Sequence, residues 1–94
     1  MTDPIDVRHA PERQRFEVEV DGRLAELDYV ADGRVLRLHH TLVPAELEGR
    51  GIASALVQAA VDHVRAEGLT IQPLCSYVRA WLARHPEHAD VVAG

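Results

Sequence analysis

With one cysteine, Cys75, among its 94 residues, the chain can form no internal disulfide, and a lone thiol suits a reducing compartment. No apolar run approaches the roughly eighteen residues that a membrane-crossing helix needs. The opening stretch MTDPIDVRHAPERQ is polar and lacks the apolar segment of a secretory signal. A cytoplasmic protein without membrane attachment is therefore expected. Basic residues form no run and the formal net charge is -5. Holding a nucleic-acid backbone means neutralising many phosphates, so general nucleic-acid binding is excluded. An acidic surface favours cationic partners instead, such as an amine or a basic protein. Metal-ligand spacing is also scarce: His85 and His88 lie three apart in HPEH, but Pro86 interrupts a regular helix there and no third ligand is evident. No metal is expected.

What the chain does have is enough apolar sequence for one modest core, with hydrophobic residues at 47% and charged residues at 27%, the balance of an ordinary single domain. Residues 1–14 read as a flexible lead-in and residues 15–94 as the domain. FEVEV alternates, with Phe16, Val18 and Val20 on one face and Glu17 and Glu19 on a solvated one. RLAELDYVA and RVLRLHHTLV follow, set off by Asp21-Gly22 and Asp32-Gly33, the dipeptide that most strongly signals a hairpin. After Pro44 the apolar period lengthens to that of a helix, through Ile52, Leu56, Ala59 or Ala60, and Val64, and Gly68 is placed to end it. LTIQP reads as a short strand, and Tyr77 or Val78, Trp81 and Leu82 as the stripe of a second helix. The order β-β-β-α-β-α predicts an α/β (α+β) fold. An antiparallel meander is followed by a crossover helix, a parallel strand and a C-terminal helix.

In ELEGRGIASALV, two glycines precede a helix that has no Ser, Thr, Asp or Asn close by to cap it. Uncapped amides, the helix dipole and the missing side chains describe a site for a phosphate or diphosphate, to which Arg50 would add a mobile charge. The competing explanation is a tight strand-to-helix connection in which glycine only relieves crowding. Standard nucleotide motifs do not fit: G-x-x-x-x-G-K-S/T is absent, and G-x-G-x-x-G fails at Ser54.

HHTLVPAELEGRGIASALV resembles the strand, loop and helix that bind acetyl-coenzyme A in the GNAT (Gcn5-related) N-acetyltransferase superfamily. The signature there, R/Q-x-x-G-x-G/A, falls on Glu48, Gly51 and Ala53, with Glu48 departing from the expected Arg or Gln. Together with PLCSYV and RHPEH, it looks like the small single-domain GNAT-like proteins sometimes called the YjdJ type, over about Phe16 to His88. The resemblance implies a minimal GNAT fold with two splayed parallel strands and the coenzyme in the opening. The diphosphate would sit on Gly49, Arg50, Gly51, Ile52, Ala53 and Ser54. The pantetheine arm would lie along the backbone of Thr41, Leu42 and Val43, with the Leu42 N–H polarising the thioester carbonyl.

Three side chains are candidates for chemistry. Cys75 precedes the last helix, where a thiol can be nucleophilic and accept the acetyl group or protonate the departing thiolate; otherwise it is a small buried hydrophobe. Tyr77 is the alternative proton donor, or a core residue with its hydroxyl at the surface. Strict alternation puts His40 with Leu36, Leu38 and Leu42, and His39 with Arg37 and Thr41. The resemblance makes His40 a general base or a partner to Cys75, against the reading of a satisfied core histidine. The function implied is acetyl-coenzyme A-dependent N-acyl transfer to an amine. Typical members build their acceptor wall from an extra N-terminal helical segment, for which this chain is too short. A protein or peptide amine therefore suits it, on a monomer or on a homodimer that supplies the wall. The alternative is a non-catalytic coenzyme A-binding or protein-interaction module.

Overall fold

The computed structural model describes residues 5–93, and its first strand lies where the sequence predicts none. Residues Arg8–Ala10 form β1, paired antiparallel with β2 (Arg15–Val20) through His9 opposite Phe16. The expected flexible lead-in over 1–14 is thus corrected in its later part; its first four positions lie outside the described residues. β3 (Arg23–Asp32) and β4 (Val35–Leu42) continue the meander. Asp21 and Gly22 both take positive φ, 52° and 78°, as a two-residue hairpin of the twist-matching kind requires. The helix α1 (Ile52–Glu67) then crosses to β5 (Thr70–Pro73), which pairs parallel with β4, and α2 (Ser76–Arg84) follows. The sheet order is β1-β2-β3-β4-β5, the expected meander, crossover and parallel strand with one further strand at the edge. A 3-10 turn, Pro86–Val91, leads the chain back so that Ala93 N–H donates to the Ile71 carbonyl at 2.7 Å.

The core lies between one face of the sheet and the two helices. Phe16, Val18, Ala25, Leu27 and Leu38 supply the sheet side, and the stripe Leu56, Val57, Ala60, Val61 and Val64 supplies α1. The opposite face is not uniformly solvated. Glu17, expected to face water, is only 3% exposed. Arg13 clamps it with two hydrogen bonds, Nε to Oε2 at 2.9 Å and Nη2 to Oε1 at 2.6 Å, and Arg15 adds a contact at 3.3 Å. The Arg13 hydrogen bonds hold the Glu17 carboxyl below the usual range although burial pushes the other way.

β1 is tied to α1 through histidines. The His9 ring stacks on Phe16 at 4.4 Å, meets the edge of His63 at 4.4 Å, and its Nε2 lies 2.7 Å from the Tyr29 hydroxyl. Burial lowers the His9 pKa and His63 adds to this, against an opposing pull from Glu12. A base with a depressed folded pKa binds more protons when unfolded. Its contribution is therefore intact above the unfolded value, about 6.5, and is lost as pH falls towards the folded value. The urea midpoint should drop between about pH 7 and about pH 5, and His9→Phe, which keeps a stacking ring but cannot titrate, should flatten that drop. An equal drop in the variant would contradict this assignment.

Candidate active site

After β4 the chain turns at Pro44 and makes one 3-10 turn, Ala45–Leu47, whose Leu47 is buried and pins the loop to the core. Gly49 and Gly51 then take φ of 80° and 79°, a region that costs any residue with a Cβ. Gly51 is the N-cap of α1 and offers no side chain to its amides. The first helical hydrogen bond joins Ala55 N–H to the Gly51 carbonyl at 3.0 Å, so the amides of Ile52, Ala53 and Ser54 precede the ladder. Among the described residues, no heavy atom beyond the chain neighbours lies within 4 Å of where a Cβ would sit on either glycine. Crowding is therefore not why glycine is there; the backbone conformation is.

A cavity of about 200 Å³ opens on this turn. Gly49, Gly51, Ile52, Ala53 and Ser54 line one side, and Val43 and Tyr77 another. Leu47 and Glu48 complete it; sequence reasoning placed neither as a ligand-binding residue, although the signature had marked Glu48. Arg50, Thr41, Leu42, His40 and Cys75 are not among the lining residues.

Beside this cavity β4 and β5 part. Their pairing ends at Leu38 opposite Pro73, while β4 runs on to Leu42. The Leu38 carbonyl accepts both Leu74 N–H at 2.9 Å and Cys75 N–H at 3.0 Å, and beyond it the strands diverge. Cys75 is the residue that caps α2, and its Sγ lies 3.5 Å from the Thr41 hydroxyl. Burial alone would push this thiol up, but hydrogen bonding from the Thr41 hydroxyl and the amides of Val78, Tyr77 and Thr41 brings it below its ordinary value. Leu42, the residue expected to donate to a thioester, lies opposite Glu26 of β3.

His40 also sits elsewhere than alternation predicts. Leu38 pairs with Tyr29 and His40 with Asp28, so His39 is an extra residue in β4 and the ladder carries a bulge. One added residue exchanges the two faces beyond it. Thr41 consequently lies opposite the fully buried Leu27, while His40 and Leu42 face outward, beside Asp28 and Glu26. The neighbouring Asp28 raises the Glu26 pKa together with burial, while Arg15, 3.0 Å away, and then His40 oppose the rise. The structure does not bring His40 to Cys75; Thr41 takes that place.

The remaining histidines are held within the C-terminal fold. His85 stacks on Trp81 at 3.8 Å, with its Nδ1 2.7 Å from the Trp81 carbonyl, and His88 Nδ1 lies 3.0 Å from Arg65 Nη2. Among the described residues no three or more metal-ligating side chains gather, and no helix is long and apolar enough to cross a membrane.

Residues 15–91 match the family model described as GCN5-related N-acetyl-transferase. The chain belongs to that family. Protein NATD1 of Gallus gallus is 36% identical over 86 residues, covering 88% of this chain and 78% of that protein. Protein NATD1 of Homo sapiens is 36% identical over 86 residues, covering 88% and 76%. The solution structure of a GCN5-like protein from Staphylococcus aureus superposes with a TM-score of 0.75 at 29% identity, over 96% of this chain and 89% of that one. Members of the GCN5-related family typically use acetyl-coenzyme A, and the turn described above fits its diphosphate. The first amides of α1 have no side-chain cap, and Gly49 and Gly51 place no side chain before them. Glu48 is the one carboxylate on the cavity wall.

Proposed function

We propose that this protein transfers an acetyl group from acetyl-coenzyme A to an amine, with Cys75 as the residue that first takes up the acetyl group. The observation that carries the reading is a cavity at the uncapped start of α1 whose wall includes Val43 and Tyr77, two residues on from Thr41 and Cys75, whose side chains meet where β4 and β5 part. When bound, acetyl-coenzyme A supplies an activated acetyl thioester. The amides of Ile52, Ala53 and Ser54 take the diphosphate charge, with Gly49 and Gly51 allowing close approach and Arg50 free to fold over it. The backbone of Thr41, Leu42 and Val43 carries the pantetheine arm. The Thr41 hydroxyl and the start of α2 keep the Cys75 sulfur nucleophilic. Its Sγ bonds to the acetyl carbon as that carbon's bond to the coenzyme sulfur breaks, and the thiol proton leaves on the departing sulfur. An amine then attacks the new thioester, restoring Cys75. The outward acidic residues Glu26 and Asp28 favour a cationic acceptor, and a protein or peptide amine suits so small a domain. We place the reaction in the cytoplasm, carried out by a monomer or a homodimer.

The chain makes the test clean, because all ten of its basic residues are arginine and no lysine side chain competes for the acetyl group. Intact-mass spectrometry after incubation with acetyl-coenzyme A should show one added acetyl group, mapped to Cys75 and absent in Cys75→Ala. An unchanged mass together with an acetylated amine acceptor would mean direct transfer, with Tyr77 as the proton donor on the cavity wall. Coenzyme binding with neither product would reduce the protein to a non-catalytic binding module.

A further inference from the structure

We infer that Trp81 is a positioning residue for the diphosphate turn, acting through the hydroxyl of Ser54; the inference rests on the coenzyme reading above. Trp81 is the sixth residue of α2 and is 2% exposed. Its indole Nε1 lies 2.8 Å from the Oγ of Ser54, the third residue of α1 and part of the cavity wall. An indole N–H can only donate, so the direction of this bond is settled: Ser54 accepts. A serine hydroxyl has one proton of its own, and among the described residues it has no other partner. With a lone pair committed to the indole, the O–H is left to donate, and the space beside it is the cavity.

The indole is itself fixed from the far side. His85 stacks on it at 3.8 Å and an interplanar angle of 17°, and is anchored by its Nδ1 against the Trp81 carbonyl. His88 lies near-parallel to the indole at 5.8 Å and is tied to Arg65 of α1, which pairs with Asp90. Two elements thus join at the helix start: α1 supplies the amides and α2 orients the hydroxyl beside them. The amides of Ile52 and Ala53 and the Ser54 hydroxyl form one donor set. The chemistry such a set takes is a phosphate oxyanion, and the coenzyme's diphosphate is the occupant consistent with the family.

The experiment uses the single tryptophan, whose indole N–H gives one isolated cross-peak in a proton–nitrogen spectrum. Ser54→Ala should move that peak upfield in the free protein, and coenzyme A should shift it in the wild type while pantetheine, which lacks the diphosphate, should not. By calorimetry, Ser54→Ala should weaken coenzyme A binding about tenfold, the size of a lost hydrogen bond to a charged group. Trp81→Phe should weaken it about three- to tenfold, and the double variant no further than Ser54→Ala alone. Pantetheine affinity should be unchanged throughout, which a general loosening of the fold would not produce. An indole peak unmoved by Ser54→Ala, or coenzyme A affinity equal in wild type and both variants, overturns the positioning role while leaving the coenzyme reading intact. Failure of the wild type to bind coenzyme A overturns both.

Discussion

Replacing Gly51 by valine is expected to lower coenzyme A affinity by at least about 100-fold. At φ 79° a β-branched residue is a strong outlier, and holding it there costs on the order of 1–3 kcal/mol. The chain escapes by rotating Gly51 to negative φ, which swings the first amides of α1 away from a common point. Hydrogen bonds to a charged group contribute about 1.5–3 kcal/mol each, so losing two of them accounts for the factor. Because nothing packs within 4 Å of the glycine's missing Cβ, the fold should survive. Paired calorimetry and urea titration separate the effects: affinity collapses while stability falls by no more than the strain. Unaltered affinity would show that the turn grips no ligand.

Leu38→Ala should carry the largest stability cost. Leu38 is 0% exposed, packs in the core, and lies where β4 and β5 part, with its carbonyl holding the start of α2. A buried leucine truncated to alanine costs about 2–5 kcal/mol, out of a total near 5–15 kcal/mol for a domain of this kind. At about 4–8 °C per kcal/mol for so short a chain, Tm should fall on the order of 10–30 °C. The same change should loosen Cys75, whose N–H rests on that carbonyl, and should raise its rate of alkylation at fixed pH. A drop below about 1 kcal/mol would mean that the core closes over the gap.

What the sequence revealed and what it concealed follow from the range of the interactions involved. The hairpin at Asp21-Gly22 and the helix start at Gly51 were legible because their requirements are local: positive φ in one case, absent caps in the other. β1 was not, since Arg8–Ala10 is too short to show alternation and is held by Phe16 across a tight connection and by Tyr29 and His63, which lie far along the chain. Glu17 looked solvated because alternation reports which face a residue is on, not what covers that face; the cover comes from Arg13 and Arg15. The glycines stood out by their spacing, and Cys75 by its place before the last helix. The sequence could not show that Thr41 rather than His40 reaches the sulfur, because that depends on register against β3. The Trp81–Ser54 bond was hidden for the same reason: it joins residues 27 apart that look like an ordinary core residue and a failed motif position.

The extra residue at His39 turns the identity of the sulfur's neighbour into a matter of counting. Two histidines and a threonine stand in a row, and which one meets the thiol is decided by whether a peptide unit is spare, not by the affinity of any of them for sulfur. A drift of the strand by a single position would set an imidazole in place of a hydroxyl against Cys75 and change the acid–base character of the site without altering any side chain. In this small scaffold, length along one strand therefore acts as a chemical variable, open to insertion and deletion as much as to substitution.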